Sequence, residues 1–408
     1  MPRRGISIHS TKILSFILTT ALVALALSAG LRGETANQPM SQSAGWTPEL
    51  SMKVRAVGGV RVSPDGNRVV YTVNEPVMAA EKSEYLTQIW MANADGGDAY
   101  QMTFGEKPSA APDWSPDGKW IAFTSSRSGK NNLYLMRSTG GEAEMITDVK
   151  SGVGGFAWSP DGKWIAFTMT DPPSVDEEKN NKGKDDSRWI DENVKMNHLY
   201  VTSIAKDGAK DGAKDGAKDG AGKREPRQLT KGAFTVGSGL GGGGFDWSPD
   251  GKSIVFTHTK SPKADYWPSA NVSVVDVASG EIKAMAATAA AESQPIYSPD
   301  GKWIALTVSD NPPTWASQNR IHVLSAGGPS GVGAPKPLAL TFDEQPNLIG
   351  WAADGKRIYF SETRGTTTAV SAINVETGAI TDIEKGRAIY GGINLNHART
   401  MFGMTMQN

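Results

Sequence analysis

The chain has 408 residues, with 42 Lys plus Arg against 43 Asp plus Glu, 5 His and no cysteine. That length sustains one large all-β domain or two ordinary ones with an ample core. The near-neutral balance argues against a nucleic-acid partner held by a basic field, and the absence of thiols excludes a disulfide framework and a lipid-attached cysteine.

The first element is a leader. MPRRGISIHSTK is basic, ILSFILTTALVALALSAG is apolar, and small residues follow near Ser28 to Ala36. Residues 1–36 read as a secretory signal peptide and leader, which predicts a periplasmic or secreted protein with no membrane contact after cleavage. The alternative is a retained anchor, because the apolar run Ile13 to Ala29 is only marginally long enough to span a bilayer.

From residue 45 onward one phrase recurs. SPDG stands at Ser63–Gly66, Ser115–Gly118, Ser159–Gly162, Ser248–Gly251 and Ser298–Gly301, with a degenerate copy, WAADGK, from Trp351. The spacing between the aspartates runs 52, 44, 89, 50 and 54 residues. A period of about 40–50 residues is that of propeller-like arrays. The step of 89 is one swollen repeat, carrying inserts at 171–197 and at 206–222, the latter the KDGA run.

Within a repeat, SPDG is a turn: Ser bonds the local backbone, Pro presets φ, and Gly takes the positive φ that closes the hairpin. The following KWIAFTS is a near-continuous apolar run, a strand covered on both faces. NLYLMRS, a GG turn and EAEMIT add a second hairpin, so that each repeat has four strands once the approach strand to Trp114 is counted. Such units stack radially, and no helix-period segment of useful length competes. The prediction is an all-β β-propeller of four-stranded blades over 45–408, six complete repeats plus the start of a seventh. In the seventh, NLNHARTMFGMTMQN places His397-Ala398-Arg399 at the turn and Met401 to Gln407 in a strand, with the outer two strands missing. The approach segment Ser51 to Val62 is expected to cover that gap only in part.

Three segments carry the resemblance to a known family: WTPELSMKVRAVGGVRVSPDGNRVVYTV (Trp46 to Val73), the serial WSPDGKWIAFT phrases, and QPIYSPDGKWIAL (Gln294 to Leu306). Together they resemble the propeller half of prolyl-oligopeptidase-family serine peptidases, in particular the acylaminoacyl-peptidase and dipeptidyl-peptidase-like branch. The resemblance implies a propeller that limits access to an active site and helps position a peptide substrate. It also implies a partner, the α/β-hydrolase domain that carries the Ser, Asp and His of the triad. No G-x-S-x-G nucleophile elbow exists here: GGPSGVG around Ser330 has Val332 where the last Gly belongs, and Ser238 sits in TVGSGLG. No catalytic residue is carried over, and the chain alone is expected to be inactive. The rival reading is a stand-alone protein-binding propeller resembling that of the periplasmic Tol system.

Other candidate chemistry is weak. His9, His198, His258, His322 and His397 lack metal-ligand spacing, the turn aspartates (Asp65, Asp117, Asp161, Asp250, Asp300 and Asp354) suit backbone capping, and KDGA lacks the pattern of a calcium loop. GLGGGG, Gly239 to Gly244, is not followed by GK[ST] and is slack in a blade connection rather than a phosphate loop. Neither a metal nor a cofactor is therefore predicted. The informative residues are tryptophans in long second-to-third-strand connections of successive repeats: Trp189, Trp267 and Trp315. Strand parity puts these connections on one face, opposite the SPDG turns, so the three are the candidate substrate- or partner-binding residues.

Overall fold

The computed structural model describes residues 46–407, apart from 80, 184–192, 206–223, 238–243, 287, 317, 328–333 and 386–387. The leader, Trp189 and the KDGA run therefore lie outside the described residues. Six antiparallel four-stranded sheets follow one another, and a two-stranded sheet, Ile389–Leu395 with Phe402–Gln407, comes last. The first strand of each sheet is innermost, and chain order is blade order. Blade four shows five strand pieces because its inner strand is split, Thr235–Val236 and Phe245–Trp247 both pairing with Ser253–Thr259.

Apolar second strands such as Trp120–Ser125 and Trp164–Thr170 are buried because each blade is covered on both faces. Each interface is one cluster: Trp114, Phe123 and Ile89 between blades one and two, and Trp351, Phe360 and Ile321 between five and six. Phe402 and Met404 pack the two-stranded sheet on Tyr359 and Val370 of blade six. On its other side Met401 joins Val60, Val69 and Tyr71 of blade one. Asn394 and Asn396 donate to the carbonyls of Val60 at 2.8 Å and Ser63 at 3.1 Å. The seventh unit therefore closes the inner part of the ring. Ala56–Val62 is the inner strand of blade one itself, so it does not fill the outer gap.

The repeated turn explains its own sequence. Ser298 Oγ donates to Asp300 Oδ1 at 2.6 Å and accepts from the Trp303 amide, while Asp300 Oδ1 accepts from the Lys302 amide. The same three bonds hold the turns at Ser115, Ser159 and Ser248. In the first turn, Ser63 and Asp65 make the equivalent bonds. Turn also meets turn. A β-carbon on Gly118, Gly162, Gly251, Gly301 or Gly355 would lie 3.5 to 4.0 Å from the proline ring of the preceding turn, so the turns follow one another along a single rim.

One expectation needs correction: a helix does form. Val175–Gly183 opens the 171–197 insert. Ser174 and Glu177 form a reciprocal cap, the Glu177 amide donating to Ser174 Oγ and the Ser174 amide to Glu177 Oε2.

Gly301 has φ +70, where an L side chain costs about 1–2 kcal/mol, and Asp300 holds two turn bonds. Gly301→Ala should lower the unfolding free energy by about 1–2 kcal/mol and Asp300→Ala by about 1 kcal/mol, read from denaturant midpoints.

Candidate functional site

The two mouths of the ring differ in chemistry. At the mouth away from the turns, blade four's second-to-third connection forms a 3₁₀ turn, Ala264–Ser269, which buries Trp267 against Ala270 and Ala291. Blade five's connection is tied by Asp310, which accepts from the Thr314 amide and hydroxyl. It lays Trp315 beside Trp267, with ring centroids 5.5 Å apart and planes inclined at 54°. Trp315 is 70% exposed and Tyr266 beside it 44%. The structure thus brings together Trp267 and Trp315 of the three predicted tryptophans. Trp267 anchors, and Trp315 offers an open aromatic face.

At the turn side, the seventh turn reaches inward. Asn396 stands where other turns have Ser, its Oδ1 accepting from the amides of Thr400 and Met401, and Arg399 stands in place of Gly at φ +57. Arg399 Nη1 donates to the Trp351 carbonyl of blade six at 3.0 Å. His397 Nε2 lies 2.7 Å from the Trp114 carbonyl of blade two and 4.0 Å from Asp113 Oδ2. Asp246, on the inner strand of blade four, accepts from the Tyr297 amide of blade five at 2.8 Å. Burial pushes its carboxyl up to about 6, against the pull of that amide and of the Arg399 charge. Desolvation lowers the Arg399 guanidinium in turn, while Asp246 opposes the shift.

Sequence reasoning missed this set. Asp before Trp at 113–114 and 246–247, and Arg in a glycine slot, were the available signals. The remaining described histidines are separate: His198 beside Phe234 and Asp171, His258 against Ser273, and His322 on the Arg320 carbonyl. Burial is the leading cause that lowers all three. No group of three or more acidic or histidine side chains able to hold a metal ion is found among the described residues.

A ring of four-stranded blades is the class the geometry defines. The profile of the TolB β-propeller domain matches residues 49–195. Dipeptidyl-peptidase 5 of Porphyromonas gingivalis is 28% identical over 365 residues, 86% of this chain and 51% of that protein. Two solved structures share the fold: the acylaminoacyl peptidase of Pyrococcus horikoshii, TM-score 0.57 at 15% identity, covering 86% of this chain and 49% of the other; and the β-propeller domain of the trilobed protease of Pyrococcus furiosus, described as having an open velcro topology, TM-score 0.52 at 15% identity, covering 84% and 88%. The chain is thus similar to the TolB β-propeller domain over residues 49–195 and to dipeptidyl-peptidase 5 over most of its length, and it shares the propeller fold of the two solved structures. It spans about half the length of that relative.

Asp246 sets a pH dependence. Its folded value lies above that of an unfolded aspartate, so the folded state holds the proton more tightly. The resulting stabilisation is complete below about pH 4 and is lost as pH rises through about 6. Asp246→Asn should flatten the fall in stability between those values by roughly 1–2 kcal/mol, allowing for water in the channel, as read by thermal melts across pH.

Proposed function

We propose that this propeller is the non-catalytic, substrate-gating part of a secreted or periplasmic serine peptidase, acting with an α/β-hydrolase partner domain on peptides. The homology to dipeptidyl-peptidase 5 over 86% of the chain carries this reading. The exposed Trp315 on its Trp267 anchor supports a docking role for the mouth away from the turns, where peptide or partner would meet aromatic surface. Gating then follows from shape: a ring admits an extended chain and turns away a folded one.

Two tests bear on it. Purified chain should not turn over acyl-alanyl or dipeptidyl chromogenic substrates, since it offers no nucleophile, base and oxyanion-hole set. Turnover that survives repurification and is abolished by a serine-directed reagent would overturn the non-catalytic assignment. The DNA beyond the codon for Asn408 should encode G-x-S-x-G between a strand and a helix; a stop codon there would favour the stand-alone Tol-like module. Export is proposed from the leader, and N-terminal sequencing of protein recovered from the periplasm or medium should begin after Ala29.

A further inference from the structure

Blades three and four depart from a pattern that blades one, two, five and seven share. In blades one, two, five and seven the inner strand continues past a bulge to pair with a threonine of the second strand: Gly58 with Thr72, Ala110 with Thr124, Ser293 with Thr307 and Gly391 with Thr405. In blade three the ladder stops at Phe156 opposite Phe167. There Thr168 instead receives the Gly154 amide and donates to the Gly155 carbonyl. In blade four the corresponding Thr257 accepts from the Gly237 amide at 2.9 Å and donates to the Gly244 carbonyl at 3.3 Å, with the inner strand split between them. Blade three thus carries a two-residue bulge, Gly154-Gly155, opposite Thr168, and at the same level blade four leaves Gly237 and Gly244, seven positions apart, bonded to the one residue Thr257.

A cavity of about 600 Å³ lies there, at the mouth away from the turns, within the size range of small-ligand sites. Its polar wall includes Asn131, Thr168, Thr170 and Asn197, its apolar wall Val153 and Phe245, and no ionisable side chain is among the described lining residues. Both amides are oriented: Asn131 Nδ2 donates to the Val153 carbonyl at 2.6 Å and Asn197 Nδ2 to the Val236 carbonyl at 3.1 Å. Their Oδ1 atoms are left as acceptors for N–H donors. A β-carbon on Gly155 or Gly237 would meet nothing within 4 Å, so bare main chain faces the space. The Gly155 amide and Gly154 carbonyl have no partner among the described residues. In the same wall the Ser151 hydroxyl is buried and likewise unpartnered.

We propose that this cavity binds an extended, uncharged stretch of peptide main chain, which accepts from the Gly155 amide and donates to Asn131 and Asn197. A neutral wall gives no compensation for a desolvated terminus or ionised side chain, so the interior of a peptide fits and its ends do not. Exposed main chain at a strand edge is the surface that an extended peptide recognises. The site goes further than the gating role and rests on it for the ligand being a peptide.

The test titrates the full chain, by calorimetry, with an N-acetylated, C-amidated hexapeptide of Gly, Ala and Val. The same peptide carrying a central Glu or Lys, and maltotriose, serve as comparisons. The capped neutral peptide should bind, the charged peptides at least tenfold more weakly, and maltotriose not at all. Gly155→Leu projects into open space at an unstrained φ, and should reduce affinity at least tenfold with an unchanged melting temperature. Should that variant fail to fold, Thr170→Val, at an exposed position, should weaken binding several-fold. No binding of the neutral peptide, equal binding by the variants, or binding of maltotriose in its place would overturn the proposal. Gating by the ring would survive that failure, because it depends on the hydrolase partner and not on this cavity.

Discussion

The ring is built on one turn that satisfies its own polar groups and lies against the turn before it. Within a turn, Ser and Asp satisfy three amides or hydroxyls locally, so the loop is rigid before it meets anything. The Ser hydroxyl is the largest influence that holds Asp65, Asp250 and Asp300 below the usual carboxylate value. Between turns, the proline ring of blade n lies next to the glycine of blade n + 1, close enough that a β-carbon there would be in van der Waals contact with it. Glycine is needed at that position for its positive φ. A tryptophan just before three of the turns adds a second tie, its indole donating to the preceding blade's inner strand: Trp114 to Arg61, Trp247 to Ala157 and Trp351 to Ile296. The phrase repeated along the sequence is therefore a wall-building device, and its chemistry is spent on its neighbours.

Where the phrase changes, the chemistry turns inward. Ala353 replaces proline in the sixth turn, and the seventh has neither proline nor glycine. The contact chain cannot pass through these two turns in the usual way. Side chains take its place: Arg399 reaches back to the Trp351 carbonyl, Asn396 forward to the Ser63 carbonyl, and His397 past blade one to blade two. Asp246, three blades away, feels the Arg399 charge. Closing the ring at its two-stranded unit thus adds these polar bonds to the apolar packing of Met401, Phe402 and Met404. Polar bonds of this kind respond to pH and salt more than apolar burial does.

Features determined by neighbours in sequence were legible, and features determined by neighbours across the ring were not. SPDG reads as a turn from four residues, and the antiparallel order of four strands follows from alternating turns. The grouping of Trp267 with Trp315 followed from strand parity alone. The Val175–Gly183 helix was legible in principle, since Ser174 and Glu177 have the spacing of a reciprocal cap, but the charged composition of the insert obscured it. Asp246 and Arg399 are 153 positions apart, and nothing local marks them as neighbours. The bulge of blade three shows in sequence only as extra glycines, GVGG, which read equally well as slack.

Constraint and variability are thereby separated along the axis of the ring. Every SPDG turn has φ, capping and turn-to-turn packing fixed by the same four residue types, which leaves little freedom for that rim to vary. The connections on the other side begin where the second strand leaves the packed interface, and their length is free to change without disturbing a neighbour. Blades three, four and five use that freedom in succession, with a helix, a 3₁₀ turn carrying Trp267 and an exposed loop carrying Trp315. The split inner strand of blade four lies on the same side. Three adjacent blades therefore give the ring a front, and recognition should be directional: a ligand entering there meets aromatic surface first and bare main chain next, before it reaches the charged clasp at the far mouth.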